Sequence, residues 1–108
     1  MSQAEGHALF DELCRSWLLR PSISRSTMMG FPCLRVDGQF FASVHRDGGQ
    51  LIVKLPRGRV EQLVAVGLGE HFAPNGRVFR EWVAVPLTRR DTWAARVDEA
   101  HRFVGGPA

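Results

Sequence analysis

The sequence has little of what marks secreted, membrane-embedded or disulfide-rich proteins. Its 108 residues include two cysteines, no tyrosine and a single lysine, Lys54. Two cysteines do not make a disulfide framework, and the sequence has no Cys-x-x-Cys pair. No apolar run approaches the roughly 18 residues of a membrane-spanning helix. The polar segment Met1–His7 does not resemble a signal peptide, so we expect a cytoplasmic protein without a membrane partner.

Motifs for catalysis and ligand binding are also missing. The four histidines are widely spaced, with no His-x-His or His-Glu-x-x-His, so we expect neither a metal nor a cofactor. Gly67-Leu68-Gly69 lacks the third glycine and the following helix of a dinucleotide-binding loop. Cys14 and Cys33 are predicted to be structural residues. Because no nucleophile, base and oxyanion site occur together, we expect a non-enzymatic protein with no evident small-molecule substrate.

The residues that are present are those of an ordinary globular protein. Hydrophobic residues make up 44% of the chain and charged residues 23%, and the length predicts a single domain over residues 1–108. The net charge is a mild +3, with arginine supplying all basic residues except Lys54. Arginine binds phosphate and carboxylate well, although the coding bias of a GC-rich genome explains the same composition.

The hydrophobic pattern predicts an α+β protein. An amphipathic first helix and a three-stranded meander with a tight turn at Asp37-Gly38 are followed by a second helix, two strands and a third helix. The predicted segments are a helix over Gln3–Leu19, strands within Gly30–His45 and Gln50–Leu55, a helix after Pro56, a loop or short strand over Glu70–Arg77, a strand over Val78–Val85, and a last helix that begins with a Thr88–Asp91 capping box. Ser22, Ser24, Ser26 and Thr27 are interpreted as turn and strand-edge residues before the first strand. The predicted order is α-β(3)-α-β(2)-α, a two-layer sandwich with one antiparallel sheet and all helices on one face.

Several of these segments together resemble the MmcQ/YjbR family of small bacterial proteins, from roughly Leu9 to Val104. The matching motifs are Gly30-Phe31-Pro32, Val36-Asp37-Gly38-Gln39-Phe40-Phe41-Ala42, Leu51-Ile52-Val53-Lys54-Leu55, Pro56 with its helix, Gly67-x-Gly69 and Glu81-Trp82-Val83. The related TfoX amino-terminal domains share part of this pattern, and Gln39 stands where the family often has lysine. The resemblance implies a fold similar to that of secretion chaperones and a DNA-binding label, and it carries over no catalytic residues.

Two pairs of arginines are the first candidate site. Arg57 and Arg59 are predicted in the opening turn of the second helix, and Arg89 and Arg90 in that of the third. Free helix amides together with guanidinium groups bind phosphate or carboxylate. In the alternative interpretation these arginines are solvated surface residues, or Glu61 and Asp91 neutralise them within the same helices.

The second candidate site is the sheet face turned away from the helices. Strand alternation predicts two sets of side chains. The helix-facing set is Val36, Phe40, Ala42, Val44, Leu51, Val53, Leu55, Val83 and Val85, and the opposite set is Arg35, Phe41, Ser43, His45, Ile52, Lys54, Arg80 and Trp82. Basic residues interleaved with aromatic ones suit nucleic acid, so Arg35, Lys54 and Trp82 join the candidate binding residues. A homodimer interface and an intramolecular cover are the alternatives.

Taken together, the sequence predicts a small binding module that contacts DNA through arginine and phosphate groups. The alternative is a protein-interaction or chaperone-like adaptor that acts as a homodimer through its sheet face.

Overall fold

Three helices pack against one face of an antiparallel sheet in the computed structural model, which describes residues 3–106. The elements are α1 (Gln3–Trp17), β1 (Ile23–Met28), β2 (Phe31–Val36), β3 (Gln39–Val44), β4 (Leu51–Lys54), α2 (Arg57–Ala65), β5 (Glu70–Phe72), β6 (Phe79–Val85), a 3₁₀ helix (Leu87–Thr92) and α3 (Trp93–Gly105). This confirms the predicted α+β class with all helices on one face. No helix within the described range has the length and hydropathy needed to cross a lipid bilayer.

The sheet has six strands in the order β1-β2-β3-β4-β6-β5, and every neighbouring pair is antiparallel. The predicted count of three strands before α2 is therefore one too low, because the serine-rich segment Ile23–Met28 forms the edge strand β1. This strand pairs with β2 along its whole length. Ile23 is the one buried residue of β1, so the hydrophobic alternation that marks a strand is missing there. Polar side chains are common on edge strands because they discourage pairing with other chains.

The turn between β2 and β3 forms as predicted. Asp37 and Gly38 both have positive φ, at 51° and 83°. Two consecutive residues with positive φ make the turn type that matches the twist of a tight hairpin. Asp and Gly tolerate this region better than other residues, and this is why the dipeptide predicts the turn.

The main core lies between the helices and the inner sheet face. Each helix contributes large buried side chains, and the strands contribute alternating aliphatic ones. The helix residues are Phe10, Cys14 and Trp17 of α1, Val60 and Leu63 of α2, and Trp93, Val97 and Ala100 of α3. Trp93 is 1% exposed, and its indole nitrogen donates a hydrogen bond to the Pro86 carbonyl oxygen at 3.3 Å.

A β-bulge exchanges the faces predicted for Phe40 and Phe41. Leu34 pairs with Ala42, but the next residue, Arg35, pairs with Phe40. Phe41 is the extra residue of the bulge, and it joins Ala42 in the helix-side core. Phe40 consequently lies beside Arg35 on the outer face. The strict alternation used in the prediction fails here because one residue is inserted into the ladder.

The start of the last helix also differs from the prediction. The segment Leu87–Thr92 forms a separate 3₁₀ helix, and Arg89 departs from helical angles with φ −115° and ψ 29°. The Thr88–Asp91 capping box is not formed. Instead, the Thr92 hydroxyl donates to the Arg89 carbonyl oxygen at 2.8 Å, and α3 begins at Trp93 without a side-chain cap.

The amino-terminal part of α1 packs tightly against the turn between β3 and β4. Gly6 lies so close to Gly49 that a Cβ added at Gly6 would be 1.9 Å from the Gly49 carbonyl oxygen. His7 Nε2 lies 3.2 Å from the carbonyl oxygens of both His45 and Arg46, and because a carbonyl oxygen can only accept a hydrogen bond, Nε2–H is the donor. The helix therefore holds this turn in a fixed shape.

We expect Gly6→Ala to lower the free energy of unfolding by about 2 kcal/mol, because overpacking against backbone forces the two segments apart. Chemical denaturation followed by circular dichroism measures the change. The matched control is Gly58→Ala in α2, where an added Cβ meets nothing within 4 Å. There the better helix propensity of alanine should stabilise the protein by about 0.5 to 1 kcal/mol. A neutral or stabilising Gly6→Ala would contradict the close contact.

His101 of α3 packs its ring against two aromatic rings of the main core. The ring centroids lie 4.8 Å from Trp17 and 5.6 Å from Phe41. Burial lowers the pKa of His101 below its ordinary value, and the nearby Arg20 and Arg102 lower it further. Asp98 and Asp37 oppose this effect. The native state therefore favours the neutral imidazole.

This lowered pKa makes stability depend on pH. As pH falls below about 6.5, the unfolded state binds a proton at His101 before the native state does. We therefore expect the free energy of unfolding to decrease as pH falls through the lowered native pKa, and to be maintained above pH about 6.5. Denaturation of the wild type and His101→Gln between pH 5 and 7.5 tests this, since the variant should lose stability less steeply. A steeper acid loss in the variant would refute the assignment.

Candidate binding surface

The sheet curls toward its outer face. The rings of Phe31 on β2 and Phe72 on β5 lie 6.1 Å apart between centroids, although three strands separate β2 from β5 in the sheet. In a flat sheet the two strands would be roughly 19 Å apart. Strand twist and the two irregular pairings, in β2–β3 and β5–β6, provide the curvature.

The curl buries a second, smaller group of apolar residues, which we call the outer cluster. It consists of Phe31, Ile52, Phe72 and Ala84, with Phe79 and Trp82 packed against it. Ser43 beside it is fully buried and donates a hydrogen bond to the Pro32 carbonyl oxygen at 2.7 Å. Part of the outer face is thus covered by the protein's own aromatic rings rather than by a helix.

Next to the outer cluster, two cations and two aromatic rings lie side by side across adjacent strands. Arg35 pairs with Phe40 across β2 and β3, and its guanidinium carbon lies 4.4 Å from the centre of the Phe40 ring. Lys54 pairs with Trp82 across β4 and β6, with Nζ 6.0 Å from the ring centre. Since β3 and β4 are neighbours, the two pairs adjoin. We call Arg35, Phe40, Lys54 and Trp82 the outer-face row.

The cations of the outer-face row are weakly neutralised. Lys54 has one carboxylate within reach, Glu81, at 4.0 Å, which is the limit for an ion pair and is worth little at an exposed site. Among residues 3–106 no carboxylate pairs with Arg35, and its buried Nε has no hydrogen-bond acceptor. An arginine stacked flat on a ring keeps its terminal N–H groups available for an anion.

The predicted arginine pairs do not come together. Arg57 follows the end of β4, whereas Arg89 and Arg90 follow the end of β6. Because β4 and β6 run antiparallel, the two pairs lie at opposite ends of these strands. Arg57, Arg89 and Arg90 are exposed and have no carboxylate partner within the part of the chain that the structure describes. The six-residue 3₁₀ helix also replaces the helical turn expected to present Arg89 and Arg90.

Arg59 is already engaged in an internal ion pair. Its Nε and Nη2 atoms donate to the two carboxylate oxygens of Glu99 at 2.8 and 3.1 Å, joining α2 to α3. Arg96 donates to the same carboxylate. The predicted neutralising partner, Glu61, instead pairs with His71 at 3.0 Å. A two-point Arg–carboxylate contact holds its geometry strongly, so Arg59 serves the helix packing.

The two cysteines are not in environments that activate a thiol. Cys14 and Cys33 are buried free thiols, and desolvation raises the pKa of each to about 11. Thiols with such raised pKa values carry almost no thiolate at neutral pH and are poor nucleophiles. Within residues 3–106, no three His, Cys, Asp or Glu side chains converge as metal ligands would.

Of the seven predicted site residues, Arg35, Lys54 and Trp82 meet in the outer-face row. Phe40, the fourth member of the row, was not predicted there, because the bulge that turns it outward leaves no mark in the hydrophobic pattern. His45 and Arg46 at the β3–β4 turn are not among the predicted site residues, although they line a small cleft. The one signal there, the polar turn Asp47-Gly48-Gly49, is equally typical of an ordinary hairpin.

No protein-family model matches the chain, and no curated protein matches it. The similarity to the MmcQ/YjbR family consequently stays a prediction, carried by the motifs of the sequence.

Proposed function

We propose that this protein is a non-enzymatic, cytoplasmic binding module for single-stranded nucleic acid, DNA in the first place, and that it belongs among MmcQ/YjbR-like bacterial proteins. The observation that carries the proposal is the outer-face row. Alternating cations and aromatic rings are what a single strand needs, since phosphates pair with the cations while bases stack on the rings.

The aromatic rings of the row favour a single strand over a duplex. The bases of a single strand are free to stack on Phe40 and Trp82, whereas the bases of a duplex already stack on one another. The row lies across the strands of the concave outer face, beside the outer cluster, and an extended strand can follow that surface. Trp82 and Phe40 are half-buried, so each ring is held in place while part of it faces outward.

The sheet, and not the starts of the helices, carries the binding role in this proposal. Arg59 is excluded from it because Glu99 holds its guanidinium group. Arg57 follows Lys54 by three residues in the sequence and is kept as an additional phosphate contact in this proposal. Arg89 and Arg90 lie at the far end of β6 and provide a natural control.

We expect binding of a mixed-sequence single-stranded oligonucleotide to weaken with salt, with a log–log slope of about −0.7 for each phosphate neutralised. The double variant Arg35→Gln/Lys54→Gln should bind more weakly and lower the magnitude of the slope by about 1.4. Fluorescence anisotropy across a series of salt concentrations measures both quantities.

The matched control is Arg89→Gln/Arg90→Gln. Both double variants lose two positive charges from the net +3, so diffuse attraction would affect them equally. Equal losses of affinity and slope, or no binding by the wild type at low salt, would refute the outer-face row as the site. Trp82→Leu separates stacking from charge, since it should lower affinity roughly tenfold while the slope stays the same.

The alternative function, an adaptor that dimerises through its sheet face, has weaker support. The centre of that face is already filled by the outer cluster. The large hydrophobic side chains that are exposed in residues 3–106 do not include any member of the outer-face row. A stable dimer interface usually has an apolar centre.

We therefore expect light scattering to give the 12.1 kDa mass of one chain at micromolar concentrations. Twice that mass, reduced to one chain by Trp82→Arg, would establish the dimer through the sheet face. A dimer that persists in Trp82→Arg would place the contact elsewhere on the protein.

A further inference from the structure

A small cleft opens where three turns meet, at the other end of β4 from Lys54. Met29 lines it from the β1–β2 turn, His45 and Arg46 from the β3–β4 turn, and Asn75 from the turn after β5. Its volume is about 210 Å³. Sites for drug-sized ligands measure roughly 300 to 1,000 Å³, so this cleft has room for a single ring system and little more.

Aromatic rings form the inner wall of the cleft. Phe31 is 4% exposed, and its ring lies 4.6 Å from that of His45. Phe72 packs behind them, with its ring 6.3 Å from His45. A flat ligand ring that enters the cleft meets the small exposed part of Phe31, and the neighbouring His45 and Phe72 rings already fix the position of Phe31.

His45 presents one oriented hydrogen-bond donor. The backbone amides of Asp47 and Gly48 both lie 3.1 Å from His45 Nδ1. Because a backbone N–H can only donate, Nδ1 must accept, and the ring proton of the neutral imidazole resides on Nε2. No acceptor for Nε2 is found among residues 3–106. The contact of α1 with this turn, through Gly6 and His7, keeps the ring in place.

The rim of the cleft offers acceptors beside its donors. The Arg46 Nε atom lies 3.6 Å from Asp47 Oδ2. The Arg46 guanidinium extends over Gly30, where a Cβ would be 2.9 Å from Nη1. Since the Asp47 carboxylate lies beside Arg46, a bare anion at this rim would meet a negative group as well as a positive one. A neutral ring with both donors and acceptors on its edge would satisfy Arg46, Asp47 and the Asn75 amide together.

We propose that this cleft binds a neutral heteroaromatic ring with hydrogen-bond donors and acceptors on its edge, the chemistry of a nucleobase presented as a free base or nucleoside. The ring packs against the exposed part of Phe31, and an acceptor on its edge receives a hydrogen bond from His45 Nε2–H. The site does not depend on the outer-face row, which contributes no residue to its lining.

Titration of the full chain with the four common nucleosides, followed by ¹H–¹⁵N NMR, tests this proposal. We expect saturable shifts at the amides of Phe31 and His45–Asp47, with a dissociation constant of roughly 1 mM for a ligand of this size. The informative variant is His45→Asn. The asparagine side-chain oxygen can accept the two turn amides, as it does in Asx turns, while the Nε2 donor is lost.

The His45→Asn variant should bind the preferred nucleoside about fivefold more weakly, as expected for one missing hydrogen bond, with its melting temperature largely retained. His101→Gln, on the helix side of the sheet, is the matched histidine control and should bind as the wild type does. Arg35→Gln/Lys54→Gln should also leave nucleoside affinity unchanged, and this separates the cleft from the proposed oligonucleotide site.

Three results would overturn the proposal. The first is the absence of shifts at these amides with every nucleoside up to its solubility limit. The second is stronger binding of inorganic phosphate or benzoate at the same amides, which would make the cleft an anion site. The third is unchanged nucleoside affinity in a folded His45→Asn variant, which would remove the imidazole from recognition.

Discussion

The curvature of one antiparallel sheet is the constraint on which the rest of the structure depends. The six-stranded sheet carries apolar side chains on both faces, but all helices lie on one face. The sheet buries apolar groups on the other face by curling until Phe31 and Phe72, four strand positions apart, come within ring contact. The same curl makes the outer face concave. Both candidate sites are products of that shape, because one crosses the curved strands and the other opens where their turns converge.

A single turn links the packing of the helices to the chemistry of the outer face. The segment between β3 and β4 is held from the helix side by Gly6 and His7, and it carries His45 on the opposite side, against Phe31. Two backbone amides fix the imidazole from within the turn itself. Loops acquire binding roles when polar groups are held rigidly on a turn. Here that requires glycine at positions 6 and 49, because backbone atoms already fill the space that a Cβ would need.

Much of the fold was predictable because it follows from local periodicity. The helix-side core, the Asp37-Gly38 turn and the α+β class each follow from a sequence pattern that spans only a few residues. The edge strand β1 was missed because its stability comes from backbone pairing, which leaves no side-chain pattern. The exchange of Phe40 and Phe41 was missed because a bulge shifts the alternation by one residue. Among the site residues, Arg35, Lys54 and Trp82 were predictable as neighbours because strand alternation places them on one face of the sheet. The ion pair of Arg59 with Glu99 was not predictable, because it joins two helices through residues 40 positions apart.

The composition of β1 has a consequence for how the molecule fluctuates. This strand places one buried side chain, Ile23, in the main core. It is otherwise held mainly by its backbone hydrogen bonds with β2 and by the Asp11–Arg25 ion pair. Elements with few apolar anchors open at a lower free energy than the global transition. Transient release of β1 would free the flank of β2 next to Arg35 and leave both hydrophobic clusters nearly intact. A ligand that pairs with β2 along this edge would therefore compete with β1 of the same chain.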